Sequence, residues 1–101
     1  MESFDLSDRI AIVSGAGGQL GGEYTRALLS AGARVVAADV SELNLSVDDA
    51  DKEHLLQLPM DITSRKDMES VLDTVRSQWG EPSILVNNAA IDAPPGAGEQ
   101  E

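Results

Sequence analysis

The chain has 101 residues, 42% hydrophobic and only 3% aromatic, with 18 acidic against 7 basic side chains and a net charge of −11. A chain of this length forms one domain at most and buries roughly 65% of its unfolded surface, so a second catalytic domain has no room. The acidic balance argues against nucleic acid or anionic lipid as partner, the lack of cysteine removes disulfide and thiolate chemistry, and with His54 the single histidine no metal site is expected.

The amino terminus, "MESFDLSD", is acidic where a secretory signal is basic, and no apolar run nears the ~18 residues of a membrane span, so a soluble, cytoplasmic chain without a membrane partner is expected. "RIAIVSG" is a short aliphatic run closed by glycine, which predicts a strand buried on both faces over residues 9–14. Leu20, Tyr24, Ala27, Leu28 and Ala31 then recur at helical spacing over 19–31, with Gly32 as the stop. "ARVVAAD" predicts a second strand over 34–39 that ends on a carboxylate. Residues 41–54 are acidic and weakly periodic, a loop with one short helix.

A third strand is expected over 55–58, with Pro59 at its end because proline cannot donate to the ladder. Ser64 and Asp67 resemble a capping box before a helix whose Met68, Val71, Leu72, Val75 and Trp79 share one face, and Gly80 ends it. "SILVN" supplies a fourth strand over 83–87. The order β-α-β-(α)-β-α-β predicts an α/β fold: a partial, Rossmann-like, doubly wound parallel sheet of order 3-2-1-4 with helices on both faces. Residues 1–90 make the nucleotide-binding half-domain in this reading, and the Pro, Gly and acid-rich residues 91–101 a tail or cut linker.

"SGAGGQLGG", residues 14–22, places Gly15, Gly18 and Gly21 between a buried strand and a helix. Backbone N–H groups there can face an anion, aided by the positive end of the helix dipole. Taken alone the glycines fit a flexible loop equally well. Asp39, at the end of the second strand and about 20 residues on, adds a carboxylate able to accept hydrogen bonds from adenosine ribose hydroxyls and to repel a 2′-phosphate. No Lys or Arg stands in the glycine stretch or just after Asp39, which favours NAD over NADP. Asp61 could bond an adenine amino group with Ile62 against the ring, or cap the "DITS" turn. "NNAA", residues 87–90, either passes close to a cofactor or ties a strand end. His54, the acidic run 48–53 and Trp79 read as solvated loop, solvated face and core packing.

In this order the motifs resemble the short-chain dehydrogenase/reductase family: "SGAGGQLG" its glycine loop, "AAD" its NAD-selecting strand end, "MDIT" its adenine contact and "VNNAA" its Asn-Asn-Ala-Gly motif. The resemblance spans residues 9–90. It implies that Gly15, Gly17, Gly18 and Leu20 line the pyrophosphate and nicotinamide-side path and that Gly21 packs the helix. It further implies that Asp39 holds the ribose, Asp61 and Ile62 the adenine, and Asn88, Ala89 and Ala90 the backbone strip beside the ribose, while Asn87 ties the central strands. Ser14 replaces the family's Thr, Gln19 a Gly, and Ala90 a Gly.

The family's chemistry requires a Ser and a Tyr-x-x-x-Lys, whose lysine lowers the tyrosine pKa. Tyr24 is the sole tyrosine and is followed four residues later by Leu28, so no catalytic residue is assigned. The expected function is the NAD(H)-binding front part of an oxidoreductase acting on an alcohol or carbonyl substrate, truncated before its catalytic half. The alternatives are a stand-alone nucleotide-binding module and an interaction remnant without ligand. The fourth strand, an apolar edge in this order, is expected to cause self-association.

Overall fold

A computed structural model describes residues 5–40 and 45–88. Four strands, β1 (Ile10–Ser14), β2 (Arg34–Asp39), β3 (Leu55–Pro59) and β4 (Ile84–Asn87), form one parallel sheet in the order β3-β2-β1-β4. Two helices, α1 (Gln19–Ser30) and α2 (Arg65–Gln78), connect them, and a 3-10 turn over Asp49–His54 precedes β3. The topology is the one expected from the sequence. Among the described residues no helix is long and apolar enough to cross a membrane.

Every residue of β1 is buried, since it lies between β2 and β4 and has a helix layer over each face. Successive side chains of a strand point to opposite faces, so the central strands feed two cores. Ile10, Ile12, Val36 and Ala38 pack with Val71 and Val75 of α2 on one face, while Val13, Val35 and Ala37 pack with Leu29 of α1 and with Ala33, between α1 and β2, on the other. Trp79 joins the first core from its margin, and the Arg34 guanidinium lies 5.9 Å from its ring centroid.

Strand ends are trimmed relative to the expectation. Arg9 falls outside β1, its N–H turning back to the Leu6 carbonyl at 2.9 Å, and Ser83 falls outside β4 although its N–H bonds the Ile10 carbonyl at 2.9 Å. Pro59 closes β3 opposite Asp39, where a missing N–H costs no ladder bond inside the sheet. Gly32, at φ 98, ends α1: its N–H bonds the Leu29 carbonyl at 2.9 Å and the Ala33 N–H the Leu28 carbonyl at 3.1 Å, the paired bonds of a Schellman stop.

The start of α2 departs from a reciprocal capping box. Ser64 Oγ accepts from the Asp67 N–H at 3.1 Å, but the Ser64 N–H is already bonded to the Asp61 carbonyl at 2.9 Å. Asp67 Oδ2 therefore accepts from the Asp61 N–H at 2.9 Å, and the cap stitches the helix to the end of β3. Ser64→Ala is expected to lower stability by about 1 kcal/mol in urea unfolding, with Ser64→Asp close to wild type.

Candidate functional site

The parallel register aligns the carboxyl ends of the strands: Ser14 pairs with Ala38 on one side and Asn87 on the other, and Asp39 with Pro59. The glycine turn leaves β1 at this end of the sheet. Gly15 adopts φ 68, a conformation that a side chain disfavours, and the chain reverses through residues 16–18 into α1. Its carbonyl accepts from the Gly18 N–H at 3.2 Å and from Asn88 Nδ2 at 3.2 Å.

Gly21 makes the turn possible. A Cβ there would lie 2.2 Å from the Gly15 carbonyl oxygen and 2.7 Å from Ala16 Cα, distances only a backbone shift could relieve. A Cβ on Gly18 would meet the same oxygen at 3.6 Å, an ordinary contact. Packing therefore requires the glycine at 21 and tolerates a methyl group at 18.

The turn is moored to the strands on both sides. Towards β2, the Ala16 N–H bonds the Ala38 carbonyl at 3.1 Å and the Gly17 N–H bonds Asp39 Oδ2 at 2.8 Å. Towards β4, the Ser14 hydroxyl donates to Asn87 Oδ1 at 3.1 Å. Asn87 thus ties the central strands, and the Asn88 side chain adds a tie to the turn that the sequence motif did not reveal.

The two helix starts differ. α2 carries the Ser64 cap and an acidic residue in its first turn, whereas α1 has neither, its N-cap being Gly18. The start of α1 thus has no side-chain N-cap among the described residues, and its first-turn N–H groups and helix dipole lie beside the strand ends, an arrangement that favours an anion.

Asp61 accepts from the Thr63 N–H at 2.9 Å and the Thr63 hydroxyl at 2.7 Å, an Asx turn within "DITS", while the N-cap of α2 itself is Ser64. The Thr63 hydroxyl first, and its amide second, hold the Asp61 carboxyl below the usual carboxylate range. Ile62 packs against the α2-side core. Leu20, by contrast, is 56% exposed at the start of α1, and Val40, directly after Asp39, is 74% exposed. Ala89, Ala90 and residues 91–101 lie outside the described residues.

A 3-2-1-4 parallel sheet, covered on both faces and bearing a glycine turn at its carboxyl end, is a Rossmann fold in its first half. A family model for short chain dehydrogenases matches residues 9–101, and the chain belongs to that family. It is 34% identical over 89 residues to the short chain dehydrogenase/reductase dpfgG of Gibberella zeae, covering 85% of this chain and 33% of that protein. It is also 34% identical over 84 residues to the 3-oxoacyl-(acyl-carrier-protein) reductase FabG of Salmonella typhimurium, covering 82% of this chain and 34% of the relative. The crystal structure of a short chain dehydrogenase from Leptospira borgpetersenii with bound NAD+ matches with a TM-score of 0.72 and 31% identity, over 90% of this chain and 34% of that one. The chain spans about a third of the length of the relatives it matches.

Two alanine substitutions separate packing from ligand approach. Gly21→Ala is expected to destabilise by about 1–3 kcal/mol through overpacking, while Gly18→Ala leaves the denaturation midpoint nearly unchanged. Parallel urea titrations of the two variants make the comparison.

Proposed function

We propose that this chain is the NAD(H)-binding part of a dehydrogenase that moves hydride between NAD and an alcohol or carbonyl substrate. The observation that carries the proposal is the Asp39 carboxylate held 2.8 Å from a glycine-turn N–H, beside a helix start that has no cap of its own. Family membership and the NAD+ in the Leptospira relative support the same reading.

In it, the first-turn amides of α1 hold the pyrophosphate, and Gly15, Gly17 and Gly18 keep side chains out of its approach. Gly21 keeps α1 close to the turn. Asp39 accepts from the adenosine ribose hydroxyls. Leu20 offers apolar surface towards the nicotinamide side, and Val40 offers it beside the ribose. Asp61, through the carboxylate capacity left by Thr63, and Ile62 face the adenine, and Asn88, Ala89 and Ala90 form the strip beside the ribose. The nicotinamide supplies the hydride acceptor or donor when bound.

Asp39 also sets the choice between the two nicotinamide cofactors. A 2′-phosphate would meet its negative charge, and no Lys or Arg in residues 14–22 or directly after Asp39 offsets that. Catalytic groups for hydride transfer are not among these residues, since no Tyr-x-x-x-Lys occurs. In the proposed whole protein they come from the length that the relatives have beyond this match. Titration calorimetry is expected to show NAD binding tighter than NADP, and roughly tenfold or greater loss of NAD affinity in Asp39→Ala. Absence of NAD binding to wild type would defeat the proposal.

The isolated chain should also pair with a second copy through β4. This edge strand carries no charge or proline of its own, and Leu85 on it is 65% exposed. Beside it runs an apolar groove of 360 Å³, lined by Met68, Val71, Leu72, Pro82, Ile84 and Leu85 among others. Like charges at −11 per chain oppose the association, so added salt should strengthen it. Light scattering is expected to show the chain larger than a monomer, with Leu85→Lys shifting it towards monomer; a monodisperse wild-type monomer that binds NAD would favour a stand-alone module.

A further inference from the structure

Three successive amides of the glycine turn have acceptors before any ligand is considered. The Ala16 N–H goes to the Ala38 carbonyl at 3.1 Å, the Gly17 N–H to Asp39 Oδ2 at 2.8 Å, and the Gly18 N–H to the Gly15 carbonyl at 3.2 Å. Two of these acceptors are backbone carbonyls, fixed by the sheet and by the turn itself. The third is a side chain, and the only one of the three that substitution can remove.

We propose that Asp39 is a positioning residue for the glycine turn as well as the ribose acceptor: its carboxylate holds Gly17 in place in the ligand-free protein and so shapes the anion seat at the start of α1. The proposal rests on the reading of that seat as the pyrophosphate site. Residues 16–18 contain two glycines, whose backbones have the most freedom to lose, so an anchor in their middle matters more than it would in a stiffer loop. A hydrogen bond to an ionised acceptor is among the stronger ones available to a backbone amide. With Gly17 committed to Asp39, the amides presented to an anion are those of the α1 first turn, which have no side-chain cap.

The consequence separates this account from ribose selection alone. If Asp39 only recognised ribose, removing its negative charge near an anion seat would leave inorganic pyrophosphate binding unchanged or tighten it. If Asp39 positions the turn, the same substitution weakens pyrophosphate binding, although that ligand has no ribose.

The test uses the full chain as wild type, Asp39→Ala and Asp39→Asn. Amide hydrogen exchange of the ligand-free proteins is followed by NMR at Gly17, with Val36 and Ala37 of β2 reporting that the sheet is intact. Gly17 is expected to exchange roughly tenfold faster in Asp39→Ala, while Asp39→Asn, which keeps a carbonyl oxygen at the same position, falls in between. Pyrophosphate affinity should follow the same order, highest in wild type and lowest in Asp39→Ala. Equal Gly17 exchange in wild type and Asp39→Ala, with β2 still protected, overturns the proposal, as does unchanged or tighter pyrophosphate binding in Asp39→Ala. A wild type that protects Gly17 through Asp39 but binds no pyrophosphate supports the anchor and instead defeats the reading of the seat.

Discussion

The carbonyl of Gly15 and the backbone of Gly21 approach so closely that a single methyl group on Gly21 would sit 2.2 Å from the carbonyl oxygen. This contact fixes the angle at which α1 leaves the turn, and with it the direction of the helix dipole and of the amides in the first helical turn. It also fixes where the helix lands on the sheet. Leu29, near the end of α1, packs into the core on that face. A looser turn would move the anion seat and open the core on that face together.

Around that contact the sheet acts as a frame. Parallel pairing brings the carboxyl ends of β1, β2 and β4 level, so that Ser14, Asp39, Asn87 and Asn88 surround one turn although they are far apart in sequence. The turn is held by hydrogen bonds from both neighbouring strands as well as by its own glycines. The two helix starts differ. α2 closes its own start through Ser64 and Asp67, while α1 begins at Gly18 with no side-chain cap and no acidic residue in its first turn. Local amides and a dipole can attract an anion even in a chain of net charge −11, because the distant carboxylates are screened over roughly 8–10 Å in physiological salt.

Within the short chain dehydrogenase family, the segment that this chain matches makes up about a third of the relatives' length. The apolar character of β4 and of the groove beside it has a plain physical meaning in that setting. Surface of this kind is stable when covered and prone to pairing when exposed. The glycine-turn end and the β4 margin are thus two separate features of the same sheet, one polar and moored, the other apolar.

Much of this was legible in the sequence because it is governed by short-range rules. Aliphatic runs, helical spacing, the stops at Gly32 and Gly80 and the carboxylate at the end of the second strand each act within a few residues and mark the elements, and the strand order follows from how successive β-α-β units connect. Three things were decided only by the tertiary structure. Asp67 bonds the Asp61 N–H because the N–H of Ser64 is already taken, and that follows from how β3 meets α2. The side chain of Asn88 holds the Gly15 carbonyl because the register of β4 against β1 brings it there. Asp39 bonds the amide of Gly17 across 22 residues of chain because two parallel strands end level, a distance in space that no local pattern encodes.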